Sequence, residues 1–185
     1  NLTIIDVSST CPTILGYSGT YDGVSHSISV SGGTGGTINY STDNITWNTA
    51  KPTRTNVGTT KVYVKVVGDS GHTDSICDSA NIVISAKSIT PTASASNKTY
   101  NGNTTANCTI SLTGVVTGDT VSASTGSGTF ADKNVGTGKK VTCSSITLSG
   151  TSASNYTLAS TSVETTANIT AKALTISAHS VNYNG

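Results

Sequence analysis

The chain has 185 residues, of which only 10% are charged, and ten lysines and arginines nearly balance nine aspartates and glutamates. Nucleic-acid binding requires clustered basic residues that neutralise phosphates, so the net charge of +1 and the scattered basic residues exclude that class. No apolar run approaches the roughly 18 residues of a membrane span. We therefore expect no membrane insertion of this fragment.

The composition predicts an all-β fold. Serine and threonine fill roughly a third of the chain, methionine is absent, and 19 glycines separate short apolar stretches. β-Branched side chains such as threonine and valine suit a pleated surface better than a helix. No segment places apolar residues at helical spacing over three turns. Low net charge and repeated strand patterns argue against disorder, which is the alternative for so polar a chain.

Short strand patterns separated by turn signals run through the first half of the chain. Asp43-Asn44 predicts a hairpin, because both residues readily start turns. The clearest pattern lies in residues 61–67, where Val62, Val64 and Val66 share one face. In chain order, the predicted strands are residues 2–7, 25–31, 37–41, 45–47, 61–67 and 80–85. In the second half they are residues 108–113, 120–123, 139–143, 145–148, 156–158 and 167–170.

Three short motifs recur in the same order at a period of about 80 residues. Tyr21-Asp22-Gly23 recurs in altered form at 100–102 and 183–185, and Asn56-Val57-Gly58-Thr59 recurs at 134–137. The Ala-Lys pair at 86–87 recurs at 171–172. This period is too long for a solenoid unit and fits a sandwich of about seven short strands. We predict two modules, residues 1–86 and 87–172, and a truncated start of a third at 173–185.

The motifs of the second module resemble the YDG repeat of bacterial surface adhesins. The match lies in residues 100–105, 112–119, 130–139, 148–150 and 155–158, with Asn101 where that repeat has aspartate. The first module is similar to a related MBG-type immunoglobulin-like repeat through residues 19–23, 40–43, 50–53, 56–59 and 62–65. This resemblance implies tandem immunoglobulin-like β-sandwich modules of an extracellular bacterial protein, cell-surface or secreted, without catalytic residues.

Each predicted module contains two of the four cysteines. Four cysteines allow three pairings, and independent modules favour Cys11–Cys77 and Cys108–Cys143. The chain-entropy model gives each disulfide about 4 kcal/mol, which would matter for thin cores. The alternative is four buried free thiols that pack as small apolar groups. No C-x-x-C spacing is present, so the sequence gives little support for zinc.

Trp47 and Tyr40 are the candidate binding residues. They lie close together across the predicted hairpin and would form a sugar-stacking platform if both rings were exposed. The alternative is that Trp47 packs over the sheet of its own module.

Catalytic and metal-binding residues have little support in the sequence. Glu164 is the only glutamate and no G-x-S-x-G motif is present, so we expect no enzyme. Asp69, His72 and Asp74 share one loop, but it lacks the ordered oxygen ligands of a calcium loop. We therefore predict no metal and no cofactor.

The resemblance implies a structural stalk or spacer of a cell-surface adhesin, which presents a binding region away from the wall. Neighbouring repeats of the same chain would then be its partners. The alternative is a binding module of the same surface protein that recognises a host or dietary glycan or a matrix protein. Exposed rings at Trp47 and Tyr40 would favour this alternative, and a buried Trp47 would favour the spacer.

Overall fold

The computed structural model describes residues 7–177. Strands account for 56% of the described residues, which contain one short 3-10 helix and no α-helix. The predicted all-β fold is confirmed. Apart from Val7, the strand predicted at 2–7 lies outside the described residues, as does the third Tyr-Asn-Gly motif at 183–185.

Residues 7–177 form seventeen strands, many of them only two to four residues long. The first eight are β1 (Val7–Ser8), β2 (Thr13–Leu15), β3 (Tyr17–Thr20), β4 (Ser29–Ser31), β5 (Gly36–Ser41), β6 (Gly58–Gly68), β7 (His72–Thr73) and β8 (Ser75–Ser85). The others are β9 (Lys87–Ala95), β10 (Lys98–Thr99), β11 (Cys108–Thr113), β12 (Ser122–Ser124), β13 (Ser127–Phe130), β14 (Gly136–Ser144), β15 (Thr147–Ser149), β16 (Tyr156–Leu158) and β17 (Val163–Thr170). The 3-10 helix covers Ala153–Asn155.

The described chain divides into two compact units. The first unit extends to Ser88 and also includes the segments Val116–Thr120 and Thr151–Thr157. The second unit consists of Ile89–Val115, Val121–Gly150 and the chain from Leu158 onward.

The first unit is built on a four-stranded sheet in the order β3-β8-β6-β5. β3 runs parallel to β8, whereas β8, β6 and β5 are antiparallel neighbours. The predicted alternation of Val62, Val64 and Val66 is confirmed, because all three side chains are at most 1% exposed. Ile82 and Ile84 of β8 are buried beside them, so valine and isoleucine of the two central strands form the core.

The second unit contains a four-stranded sheet with the same pattern of neighbours and directions, β10-β17-β14-β13. Its first strand is again parallel to its neighbour, and the other pairs are antiparallel. A three-stranded sheet, β11-β9-β16, and the pair β12-β15 complete the unit. The core consists of the following buried residues: Ala106, Phe130, Val141, Cys143, Ala167 and Ile169.

The registers of the two four-stranded sheets correspond, apart from one register shift in each, between Tyr63 and Lys65 and between Gly136 and Lys139. Gly58 opposes Ile84 in the first unit, and Gly136 opposes Ile169 at the same point of the recurring sequence in the second. Farther along, Val62 opposes Ala80, and Val141 opposes Thr165. The recurring sequence markers therefore occupy equivalent positions in two equivalent sheets.

One predicted strand, residues 45–47, is wrong, because this segment is not a strand. The Asp43 carboxylate accepts hydrogen bonds from the backbone N–H groups of Ile45 and Thr46, both at 2.8 Å. These bonds use the donors that a ladder would need. The chain does turn back as predicted, with Asn44 at a φ of 60° and a single bridge between Tyr40 and Asn48.

Strand β9 is a further difference from the sequence-based expectation, which placed no strand between residues 85 and 108. Its residue Pro91 lies opposite Leu112 of β11. Proline has no backbone N–H and is rare inside strands, so the local pattern argues against the strand that forms. Pairing with β11 outweighs this local preference.

Candidate functional site

The Tyr-Asp-Gly motif of the first unit forms a tight turn that places Tyr21 in the core. The Tyr21 N–H donates to the Ser85 carbonyl at 2.8 Å, directly beyond the parallel β3-β8 ladder. The Asp22 carboxylate accepts from the Val24 N–H at 2.9 Å, and Gly23 has a φ of 81°. Glycine adopts this conformation without strain, so the motif fixes the direction of the tyrosine side chain. Tyr21 is 5% exposed.

Two further turns of the first unit face this tyrosine. In the first turn, the Asp119 N–H donates to the Val116 carbonyl at 3.1 Å, with Gly118 at a φ of 95°. The second turn is the 3-10 helix that precedes Tyr156. The Ser152 N–H donates to the Thr120 carbonyl at 3.2 Å and thereby joins the two turns.

Tyr21, Asp119 and Tyr156 form a hydrogen-bonded group, called here the tyrosine–aspartate network. The Tyr156 hydroxyl donates to the Asp119 carboxylate at 2.5 Å and accepts from the Val116 N–H at 2.9 Å. The Tyr21 hydroxyl donates to the other carboxylate oxygen at 3.2 Å. The two rings meet edge to face with centroids 5.5 Å apart, a favourable aromatic arrangement.

Asn155 extends the network to the Asn-Val-Gly-Thr motif. Its side-chain oxygen accepts from the Val57 N–H at 3.0 Å, and its amide nitrogen donates to the Asn56 side chain at 3.1 Å. Asn155 is 5% exposed, so these bonds satisfy a buried amide that would otherwise be costly. The sequence indicates that Tyr-Asp-Gly and Asn-Val-Gly-Thr are separate turns. It does not reveal that Asn155, which directly precedes Tyr156, connects the Asn-Val-Gly-Thr turn to the network.

The electrostatics of the network favour neutral phenols around one carboxylate. Burial, followed by the hydrogen bond to Asp119, raises the pKa of Tyr156 to about 12. Burial and the same carboxylate also raise the pKa of Tyr21. Hydrogen bonds from Tyr156 and Tyr21 hold the pKa of Asp119 below its usual range. Each partner stays in the protonation state in which it forms its hydrogen bond, so the arrangement is suited to fastening loops rather than to proton transfer at neutral pH.

The structure separates the environments of the two predicted binding residues. Tyr40 is only 9% exposed, so little of its ring is available for stacking. Trp47 is half-buried, and the Lys65 ammonium lies 4.9 Å from the centre of its ring. This distance is within the range of a cation–π contact. A sugar platform at Trp47 and Tyr40 stays a prediction.

The four cysteines form two disulfides, Cys11–Cys77 and Cys108–Cys143, with Cα atoms 5.5 and 6.1 Å apart. Cys11 is exposed and Cys77 half-buried, whereas Cys143 is fully buried in the core of the second unit. Each unit therefore contains one disulfide, but only the second has it in the core.

The loop with Asp69 and His72 contains a local side-chain hydrogen bond. The His72 Nδ1 lies 2.6 Å from the Asp69 carboxylate, while Asp74 accepts from the Gly68 N–H at 2.9 Å. Within residues 7–177, no group of three or more histidine, cysteine, aspartate or glutamate side chains is arranged to hold a metal ion. The same range contains no helix with the length and apolar character needed to cross a bilayer.

Comparison with known proteins gives one family match. Residues 85–163 match the model of the YDG domain. No curated protein and no solved structure matches the chain. The matched range includes Asp119, Asn155 and Tyr156. Residues 85–163 of this all-β chain therefore form a YDG domain.

Proposed function

We propose that this chain is a structural stalk or spacer segment of a bacterial cell-surface adhesin, built from tandem immunoglobulin-like β-sandwich modules. Its task is to present a binding region away from the wall. The observation that carries the proposal is the pairing of parallel strands in both units, β3 with β8 and β10 with β17.

Parallel pairing of this kind suits a segment under tension. In the second unit, tension pulls the start of β10 and the end of β17 in opposite directions. Because these strands are parallel, that pull slides one past the other and loads their hydrogen bonds together instead of one after another. The register of Lys98–Ile169 and Thr99–Thr170 sets the length over which this resistance acts. The longer register of four pairs between β3 and β8 bears tension when the disulfide of the first unit is open.

The disulfides limit how far each unit could extend. Cys11 precedes β3 and Cys77 lies in β8, so tension passes through the closed bond and bypasses β3. Cys108 follows β10 and Cys143 precedes β17, so the parallel pair of the second unit stays under tension with its bond closed. The sequence separations are 66 residues in the first unit and 35 in the second. An extended chain spans about 3.3 Å per residue, so the bonds hold back roughly 220 and 120 Å.

Single-molecule force spectroscopy tests the proposal. In the oxidised chain the second unit should unfold in a force peak with a short extension, whereas the parallel pair of the first unit should give its own peak only after its disulfide is removed. The Cys11→Ser/Cys77→Ser and Cys108→Ser/Cys143→Ser variants should lengthen one extension each, by roughly 220 and 120 Å respectively. Extension of the oxidised chain without a force peak would contradict a mechanical role.

The cellular part of the proposal has its own test. Antibodies raised against this chain should label intact bacteria that produce the parent protein, and brief protease treatment of the intact cells should remove the label. Labelling that requires permeabilised cells would contradict a surface location.

The second candidate is a glycan- or matrix-binding module, favoured by the partly exposed ring of Trp47. An array of glycans, mucins and matrix proteins tests it with Trp47→Ala. Tyr63→Ala is a matched control, because Tyr63 is also a half-buried aromatic residue under a lysine, with the Lys61 ammonium 4.8 Å from its ring. Binding that is lost only in Trp47→Ala would support this candidate over the spacer.

A further inference from the structure

The turn at Tyr100 reproduces the backbone of the turn at Tyr21. The Tyr100 N–H donates to the Thr170 carbonyl at 2.8 Å, the same distance as from the Tyr21 N–H to the Ser85 carbonyl. Gly102 and Gly23 share a φ of 81°. Both turns therefore present a tyrosine at the end of a parallel strand pair, in the same local conformation.

The surroundings of the two turns differ. Tyr21 is 5% exposed beneath Asp119 and Tyr156, whereas Tyr100 is 36% exposed. Val57 is half-buried, but Val135, its counterpart in the recurring motif, is 53% exposed. The second unit thus repeats the tyrosine and the valine that the two covering turns contact in the first unit. In the second unit the side chains of Tyr100 and Val135 are open to solvent.

The same contrast extends to the residues that follow the last strand. Ile89 is 1% exposed, whereas Leu174, its counterpart after the second Ala-Lys pair, is 88% exposed. Around Tyr100 these positions form a shallow groove, called here the Tyr100 groove. It is lined by Tyr100, Asn134, Val135, Ala171, Lys172 and Leu174.

We propose that the Tyr100 groove is the docking surface for the next YDG-type repeat of the same polypeptide. The occupant has the chemistry of the two turns that cover Tyr21: one with a carboxylate, as at Asp119, and one with an asparagine and a tyrosine, as at Asn155-Tyr156. In this arrangement the carboxylate accepts from the Tyr100 hydroxyl, and the asparagine accepts from the Val135 N–H.

Charge and shape support this occupant. Lys172 gives the groove a positive charge that complements the incoming carboxylate. In the first unit, a Cβ on Gly23 would lie 2.9 Å from Val116 Cγ1, so the covering turn sits directly against this glycine. A Cβ on Gly102 would meet nothing within 4 Å, which leaves room for the equivalent valine.

The test adds one repeat by replacing residues 173–185 with a second copy of residues 88–172 after Lys172. Hydrogen exchange of the Val135 amide is measured by NMR in the original and extended chains. Docking should slow this exchange at least about tenfold, since the amide gains a buried acceptor. The Val57 amide, which already donates to Asn155, serves as an internal reference for the protected state.

Matched variants separate docking from a general effect of chain length. Asn155→Ala in the appended copy should return Val135 to its original exchange rate, whereas Asn155→Ala in the original copy should affect Val57 alone. Slow exchange of the appended Val141 amide shows that the copy is folded. A second extended chain, residues 1–174 followed by residues 90–172, keeps Ala173 and Leu174 after Lys172. It controls for any effect of replacing these two residues by Ser88 and Ile89.

A folded appended copy that leaves Val135 exchange unchanged would overturn the inference. This inference rests on the spacer proposal in supposing that further repeats follow, but its test uses neither force nor cells. If the appended repeat does not dock, the spacer proposal still stands or falls by the force measurement on each unit. Docking without force peaks would instead reject the spacer function alone.

Discussion

The two four-stranded sheets share their strand order and directions but fill the same core position differently. Val64 in the first unit and Cys143 in the second are at equivalent places, and both are fully buried. The residue opposite Val64 is Tyr40, whereas the residue opposite Cys143 is Gly128. The second unit therefore replaces a valine and a tyrosine by a cysteine and a glycine.

The disulfide explains how the second core tolerates this loss of volume. A Cβ on Gly128 would lie 2.7 Å from the Cys108 sulfur and 2.4 Å from the Ala106 carbonyl oxygen. Glycine at this position thus makes room for the disulfide and the chain beside it. A four-stranded sheet of one design can be filled either by large side chains or by a buried disulfide, and the comparison of the two units shows both solutions.

Removal of each disulfide should give the largest losses of unfolding free energy, and the two losses should differ between the units. Loop closure alone gives about 4 kcal/mol for each bond and favours the longer loop of the first unit. Cys108→Ala/Cys143→Ala also leaves a cavity in the core, which adds about 1–2 kcal/mol. We therefore expect this variant to lose more unfolding free energy than Cys11→Ala/Cys77→Ala. Urea unfolding followed by NMR signals of each unit measures both, and the reverse order would show that the second disulfide does not support its core.

The next prediction concerns the glycine that faces the buried disulfide. Gly128→Ala should lower the unfolding free energy of the second unit by about 1–3 kcal/mol, because the new methyl group overlaps backbone and sulfur. Gly136→Ala is the control, since a Cβ there would lie no closer than 3.4 Å to the Lys139 side chain. Equal losses of unfolding free energy in the two variants would contradict the inference that Gly128 makes room for the disulfide.

Gly23→Ala and Gly102→Ala test the difference between the covered and the open turn. Both glycines have a φ of 81°, so the backbone strain of alanine cancels in the comparison. Only Gly23→Ala meets Val116, and we expect it to be more destabilising by about 1 kcal/mol. Thermal unfolding of the two variants checks the difference, and an additional Val116→Ala substitution should remove it.

The smallest expected effect is the dependence of stability on alkaline pH. The pKa of Tyr156 is raised to about 12, so its contribution is fully present below the ordinary value near 10. This contribution is lost as the pH rises through about 12, because the unfolded chain releases its proton first. Unfolding free energies of the native chain should fall over this range more steeply than those of Tyr156→Phe. The same pH dependence in the native chain and in Tyr156→Phe would show that the pKa of Tyr156 does not contribute to stability.

The sequence predicts the parts of the fold that depend on local alternation. The valines of residues 61–67 identify their strand, because every second side chain is buried. Residues 45–47 look equally suitable, but the Asp43 carboxylate captures their N–H groups. The sequence does not predict the short strand β13, because Gly128 interrupts its apolar pattern. A side chain at Gly128 would overlap the Cys108 sulfur of the disulfide, and no local pattern reveals this contact.

The tyrosine–aspartate network depends on residues that are far apart in the chain. Tyr21 and Asp119 are separated by 98 positions. Each motif is recognisable as a turn by its glycine and by its aspartate or asparagine, but the partner of a turn is set by tertiary packing. The recurrence of Tyr-Asn-Gly at 100–102 was the available signal, since a repeated tyrosine at a turn suggests a repeated contact.

The burial of Cys143 has a consequence for the biosynthesis of the protein. Its sulfur is sealed once β13 and β14 have paired, because Gly128 and Cys143 then lie opposite each other. A small-molecule oxidant can reach the Cys143 thiolate directly only while this hairpin is still open. After folding, exchange in the second unit must begin at the half-buried Cys108, whereas the exposed Cys11 leaves the first unit open to repair by thiol exchange.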